Sequence, residues 1–288
     1  MKAIEPIVLV SKLLNSILGS VGLELRLKRT PRSQTQRQTQ RQTLRGTLEH
    51  AKLLGFEPKT VIDVGAGIGT FELYETFPKA SHMLIEPLEE NRPYLEAIVH
   101  KLEKAEYIIA AATRNAGTVT INIHRGFFGS SIYSEYEGPS VDGPPRIVPA
   151  VTLDEVCLQR GLYGPYLIKV DVQGAELDVI SGASEILKNT EYVVLEVSLL
   201  GFLVTAPQSY DVVAFMKERG FVVYDLLDYS QRPLDGAMSS LDMAFVRESG
   251  MFRKDHSWGT RGQRDAVEQM FNEARKGALQ QLHVGQKR

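Results

Sequence analysis

The residues best suited to chemistry fall in two short segments. The first is Val61-Ile62-Asp63-Val64-Gly65-Ala66-Gly67-Ile68-Gly69-Thr70, where an apolar run gives way to alternating glycines. Glycines at a strand-to-helix turn let the backbone bend tightly and approach a ligand where a β-carbon would clash. A second apolar run, residues 82–86, ends in Glu86, an acid suited to accept hydrogen bonds from the two ribose hydroxyls of a nucleoside. Dinucleotide sites want G-x-G-x-x-G. Here the third glycine comes one residue early, at Gly69, and Thr70 holds the dinucleotide position. Asp63 would repel a pyrophosphate but could pair, directly or through water, with an ammonium group. S-adenosylmethionine carries that ammonium and no phosphate, so the pattern points to this cofactor rather than to a nicotinamide.

The second segment is more specific. It runs Leu167-Ile168-Lys169-Val170-Asp171-Val172-Gln173-Gly174-Ala175-Glu176, preceded by Val151-Thr152-Leu153-Asp154 and followed by Val179-Ile180-Ser181-Gly182-Ala183. With the glycine loop and Ile85-Glu86-Pro87, it resembles the FkbM family of methyltransferases over roughly residues 58–200, extending to the 242–246 strand. The resemblance implies S-adenosylmethionine as cofactor and O-methylation of hydroxyls in macrolides, sugars and other natural products. It assigns Asp63, Gly65, Gly67 and Gly69 to the amino-acid part of the cofactor, Glu86 to its ribose, and Ala111 and Ala112 to the border of the adenine. Lys169 and Asp171 would point at the methyl group and substrate, with Glu176 opening the next helix and Ser130-Ser131 facing the substrate. Gln173 departs from the commoner Glu of the family and removes one carboxylate. That leaves Asp171 and Glu196 short of the several oxygen ligands a divalent metal prefers, so a metal is not favoured. The six histidines are scattered, without transition-metal spacing.

Methyl transfer from a sulfonium is an in-line displacement, and an alcohol acceptor needs its proton taken as the new bond forms. Asp171 is the first candidate base, at a strand end that should face the substrate. Lys169 could orient the acceptor oxygen or tune that acid, or simply support it as an ion pair. Glu176 is a third catalytic candidate, its alternative being an acid favoured by the helix dipole.

These residues must be positioned by the surrounding elements. Apolar runs at 60–64, 82–86, 107–111, 167–172, 192–197, 221–227 and 241–246 read as strands, with 118–123 an exposed one. Helices are expected over 71–77, 88–102, 152–160, 175–187 and 208–219, with Thr152 and Glu155 at capping-box spacing. Residues 124–149, rich in Gly, Pro and Ser, read as a long loop. Its aromatics Phe127, Phe128, Tyr133 and Tyr136 could form a lid or acceptor wall. The alternation predicts an α/β, Rossmann-like class I methyltransferase fold: a mostly parallel seven-stranded sheet with helices on both faces. Ligands bind such sheets beyond the carboxyl ends of the strands.

The 288 residues divide into three expected parts. Residues 1–42 hold an amphipathic helix at 7–21 and a Gln/Thr/Arg linker, 43–249 the methyltransferase domain, and 250–288 a polar tail with a helix near 263–279. The 7–21 helix could dock on the domain or make a peripheral membrane or partner contact, though its polar face carries few basic residues. Hydrophobic residues make up 43% and charged residues 24%, with a formal net charge of -2, which suits a soluble enzyme and argues against a nucleic-acid partner. The single Cys157 excludes an internal disulfide and indicates a reducing, cytoplasmic setting. No stretch approaches the ~18 apolar residues of a membrane span. The expected acceptor is the hydroxyl of a small molecule or glycan. Two rivals stay open: an inactive binding module on the same fold, and an NAD(P)-dependent oxidoreductase.

Overall fold

The computed structural model describes residues 41–285. The 7–21 segment and most of the Gln/Thr/Arg segment lie outside them. Helix α1 (Leu44–Leu53), absent from the sequence expectation, buries Leu44, Leu48 and Ala51, and its cap Thr43 accepts from the Gly46 amide at 3.1 Å. There follow β1 (Thr60–Val64), α2 (Phe71–Thr76), β2 (Ser81–Glu86), a 3-10 turn (Glu89–Asn91), α3 (Arg92–Val99) and β3 (Ala105–Ile109). Next come β4 (Ala111–Ala112), β5 (Gly117–Asn122), α4 (Pro139–Asp142) and β6 (Pro145–Val151). The chain continues through α5 (Leu153–Arg160), β7 (Tyr166–Val170), α6 (Glu176–Ser181), β8 (Thr190–Ser198), α7 (Ser209–Glu218), β9 (Phe221–Gln231), β10 (Met238–Arg247) and α8 (Arg261–Gly285).

Seven strands form the main sheet in the order β3-β2-β1-β7-β8-β10-β9. The first five run parallel, and β10 is antiparallel to both β8 and β9. The sheet is mostly parallel with helices on both faces, as the alternation predicts. Burial on both faces explains why its central strands read as continuous apolar runs rather than alternating ones. Side chains pointing one way, Ile62, Val64, Ile168, Val193 and Phe245, pack with α5, α6 and α7. Those pointing the other way, Val61, Leu84, Leu167, Val194 and Ala244, pack with α1, α2 and α3.

The segment between β3 and α5 differs from expectation. The run at 107–111 is divided: residues to Ile109 pair with β2, while Ala111-Ala112 joins a second sheet of order β4-β6-β5. The loop expected over 124–149 ends in a seven-residue strand, β6, which pairs antiparallel with β5 and parallel with β4. Leu88, Ala111, Ile121, Ile123 and Val148 form the core of this small sheet. The helix expected over 175–187 stops at Ser181. A β-carbon on Gly182 would stand 2.2 Å from the Thr113 carbonyl, so the backbones of the two sheets' connections touch there. The tail helix α8 is longer than expected at both ends. Among the described residues no helix is long and apolar enough to cross a membrane.

Candidate active site

The carboxyl ends of β1, β2 and β7 open into one cavity of about 430 Å³. It lies where the sheet changes direction, since β2 and β3 extend from one side of β1 while β7 and β8 extend from the other. Gly65, Gly67, Gly69, Glu86, Ala111, Ala112, Asp171 and Gln173 line it, and residues 126–132 form the opposite wall. The two motifs meet at Gly65, where a β-carbon would stand 1.8 Å from the Asp171 carbonyl oxygen; the residue also adopts φ 73°, which side chains avoid. Only glycine lets these strand ends abut.

Glu86 is buried and organises the loop. One carboxylate oxygen accepts from the Gly67 amide at 2.9 Å, the other from the Leu88 amide at 2.9 Å. Burial pushes its carboxyl up, and those two amide bonds pull it back. The Asn91 side chain adds a third hydrogen bond, and remaining acceptor capacity can meet a ligand hydroxyl. A β-carbon on Gly67 would meet nothing within 4 Å, so its backbone is open for ligand approach.

Acids Glu86, Glu90 and Asp171 line the cavity, while among the described residues no Lys, Arg or His does. Arg146 holds Glu90 and Lys169 holds Asp171, so Glu86 is the lining acid without a cationic partner. The volume also lies within the range of small-molecule sites. The residues present therefore fit S-adenosylmethionine, which carries a sulfonium and an ammonium.

Three sequence candidates stand behind the cavity rather than on it. Asp63 is fully buried and accepts from the Tyr74 hydroxyl, the Thr70 hydroxyl at 3.1 Å and the Thr70 amide at 3.4 Å. It closes the glycine loop from beneath instead of facing a ligand ammonium. Burial raises its carboxyl, opposed by Lys169 and these hydrogen bonds. Lys169 is buried and donates to Asp171 at 2.9 Å. Glu176 is buried and folds back on its own loop, one oxygen accepting from the Val172 amide at 3.2 Å and the Gly174 amide at 3.1 Å. Its carboxyl is pushed up to about 7 by burial. Of the three catalytic candidates, only Asp171 reaches the cavity.

Asp171 keeps about a third of its side chain accessible. Burial alone would raise it, but the Lys169 ammonium and hydrogen bonds from Glu196, Lys169 and Gln173 hold it below the usual carboxylate range. Ser131 is buried and donates to the Gln173 carbonyl at 2.6 Å, whereas Ser130 donates to the Phe127 carbonyl at 2.8 Å within its own turn. Tyr74 and Asp242 escaped the sequence reading. Tyr74 follows Thr70 by one helical turn, a spacing that could have flagged it once Asp63 was known to be buried. Asp242 stands alone in an apolar strand, which was signal enough. Burial pushes the Cys157 thiol up to about 12, consistent with a packing role.

Strand order, glycine loop and an acid-lined cavity define an α/β fold built for a nucleoside cofactor that carries no phosphate. The model of the methyltransferase FkbM domain matches residues 63–223. The chain belongs to the FkbM methyltransferase family and carries an S-adenosylmethionine-dependent methyltransferase domain. A 65-residue stretch is 45% identical to the 2-O-methyltransferase NoeI of Sinorhizobium fredii (strain NBRC 101917 / NGR234), covering 23% of this chain and 26% of NoeI. The match thus spans about a quarter of that relative's length. Among solved structures, the magnesium protoporphyrin IX methyltransferase of Synechocystis PCC 6803 with bound SAM is 12% identical, with 86% of this chain and 99% of that one covered and a TM-score of 0.40. The precorrin-6y C5,15-methyltransferase of Geobacter metallireducens GS-15 is 11% identical over 70% of this chain and 85% of that one, with a TM-score of 0.38.

Proposed function

We propose that this protein transfers a methyl group from S-adenosylmethionine to a hydroxyl oxygen of a sugar, glycan or other natural product, with Asp171 taking the hydroxyl proton. The carrying observation is that the Asp171 carboxyl, paired with the Lys169 ammonium, opens on the same cavity as the glycine loop and Glu86. The bound cofactor would supply a methyl group on a sulfonium sulfur that departs as a neutral thioether. As the oxygen–carbon bond forms and the carbon–sulfur bond breaks, the acceptor proton passes to Asp171. Lys169 holds that carboxylate in place by its ion pair. The glycine loop and Glu86 hold the amino-acid and ribose ends, and Ala111 and Ala112 border the base. The role of Asp63 is to shape the loop from below.

NoeI is named as a 2-O-methyltransferase, and that name favours oxygen as the acceptor atom here. Phe127 and Phe128, exposed on the opposite wall, suit the faces of sugar rings or apolar scaffolds. The lone, buried Cys157 suits a cytoplasmic setting.

The test is calorimetric titration with S-adenosylhomocysteine, an NADH control, and a screen of hydroxylated acceptors. Micromolar binding of S-adenosylhomocysteine but not NADH is expected, with Asp171→Asn retaining binding and losing about 10²–10⁴-fold in kcat, the usual reach of a general base. An Asp171→Asn variant that methylates as fast as wild type would remove the carboxylate from the mechanism. NADH binding in place of S-adenosylhomocysteine would return the oxidoreductase reading.

A further inference from the structure

Four acids and one ammonium share a single face of the main sheet beneath the cavity. Asp63 on β1 lies opposite Lys169 on β7, and Glu196 on β8 lies opposite Asp242 on β10. Asp171 follows Lys169 by two residues and so returns to the same face. Like charges directly opposite on neighbouring strands repel, and a buried carboxylate without a partner is costly. Lys169 can neutralise only one of the four. Burial raises the carboxyls of Asp63, Glu196 and Asp242 accordingly.

Local geometry ties Glu196 to Asp171. The Gln173 amide reaches Asp171 Oδ1 at 3.1 Å and Glu196 Oε2 at 2.5 Å, tying the two acids into one cluster. An amide nitrogen has two hydrogens, so both contacts are met at once. Ser240 Oγ adds a contact to Glu196 Oε1 at 3.3 Å. Gln173 itself stands at φ 54°, a conformation that non-glycine residues avoid. Ser131 on its carbonyl and Glu176 on the two flanking amides hold it there. Backbone strain maintained by its surroundings clusters at functional sites.

We propose that Glu196 is a positioning residue for methyl transfer: its protonated carboxyl, bridged by the Gln173 amide, hydrogen-bonds Asp171 and holds that carboxylate ionised toward the acceptor hydroxyl. The inference rests on Asp171 being the proton acceptor. The groups facing Glu196 agree with it. Asp171 just past the end of β7, Glu176 on α6 and Asp242 on β10 are all acids; Lys169 beside them is paired to Asp171, and Asp228 on β9 stands behind Asp242. Burial first, then the Asp171 charge, pushes Glu196 up to about 9. Glu196 keeps its own proton while Asp171 receives that of the acceptor.

The experiment is carbon-13 NMR of the full chain labelled at its Glu and Asp side-chain carboxyls, titrated with and without S-adenosylhomocysteine. It is joined to steady-state kinetics on the acceptors found in the screen. One Glu resonance should titrate above pH 8, vanish in Glu196→Gln and move down by about one pH unit or more in Asp171→Asn, where the opposing charge is gone. Glu196→Ala should lower kcat about tenfold or more with the KM for S-adenosylmethionine nearly unchanged. Glu196→Gln, whose amide can still donate to Asp171, should restore most of the rate. A Glu196 ionised at pH 7, or a Glu196→Ala variant turning over like wild type, would overturn the proposal. Failure of wild type to methylate any hydroxyl, with Glu196 titrating as described, would overturn O-methylation and the positioning role with it, while the proton on Glu196 would stand.

Discussion

Glu176 opens α6 with one oxygen accepting two amides of the preceding loop, and its carboxyl rises to about 7 because burial penalises the ionised form. A raised folded-state value means that the native protein binds more protons than the unfolded chain between the ordinary carboxyl range and about pH 7. Stability therefore falls as pH rises through that window and stays at the lower level above it. The displacement corresponds to roughly 3 kcal/mol at most. Glu176→Gln keeps an oxygen for both amides and removes the titration. Urea denaturation at pH 5 and pH 8 should show wild type losing stability toward pH 8 and the variant losing about 2–3 kcal/mol less. Equal losses in the two proteins would mean that Glu176 is not the group responsible. An acid at a helix N-terminus is read most simply as a dipole partner. Here it holds the loop that carries Gln173, a relation between loop and helix that no linear spacing reveals.

Two glycines of one loop do different work at the scale of elements. A β-carbon at Gly65 would collide with the Asp171 carbonyl at 1.8 Å, so Gly65→Ala must push the ends of β1 and β7 apart. A β-carbon at Gly67 meets nothing within 4 Å, and Gly67→Ala pays only for its backbone angle, about 1–2 kcal/mol. Thermal melts should show Gly65→Ala destabilised by several kcal/mol or unfolded, and Gly67→Ala folded but weaker toward S-adenosylhomocysteine, since its methyl intrudes on the ligand's approach. Comparable melting of the two variants would contradict the assigned close contact. The glycine pattern announced the loop, and the apolar runs announced all seven main-sheet strands, because burial on both faces leaves only apolar side chains to use. Of the second sheet only β5 was legible, as the exposed strand at 118–123. β6 begins with Pro145 and contains Pro149, residues that lack an amide donor and ordinarily exclude a strand. β4 is two alanines long, and its pairing with β6 is set by tertiary contact alone. Asp63 was placed in the motif, but its direction was not: strand alternation puts it on the α2 side, where Tyr74 and Thr70 claim both oxygens.

At the scale of the whole molecule, the sheet carries a row of charge at four strands, and among the described residues Lys169 is the row's one cation. Asp63, Glu196 and Asp242 come from β1, β8 and β10 and Asp171 from the residue after β7, so no single element accounts for the balance. Lys169 is raised further from neutrality because Asp171, Asp63 and Asp242 outweigh its burial. Removing one partner of a buried pair costs about 3–5 kcal/mol, because the remaining charge is left without compensation. Lys169→Met should therefore lower the melting temperature by about 6–20 °C, taking 2–4 °C per kcal/mol for a domain of this size. Lys169→Met combined with Asp171→Asn removes the stranded charge along with its partner and should recover part of that loss, a coupling that the double-mutant cycle measures directly. The pH dependence has a definite sign. Glu196 at about 9 and Asp242 at about 6 lie above ordinary carboxyl values, so the fold binds extra protons and loses stability as pH rises through those ranges. Without the ammonium these acids ionise less readily still, so Lys169→Met should be closest to wild type near pH 5 and fall furthest behind it above pH 8. A variant whose deficit stays constant from pH 5 to pH 9 would show that Lys169 supports the sheet by packing its stem rather than by balancing the row.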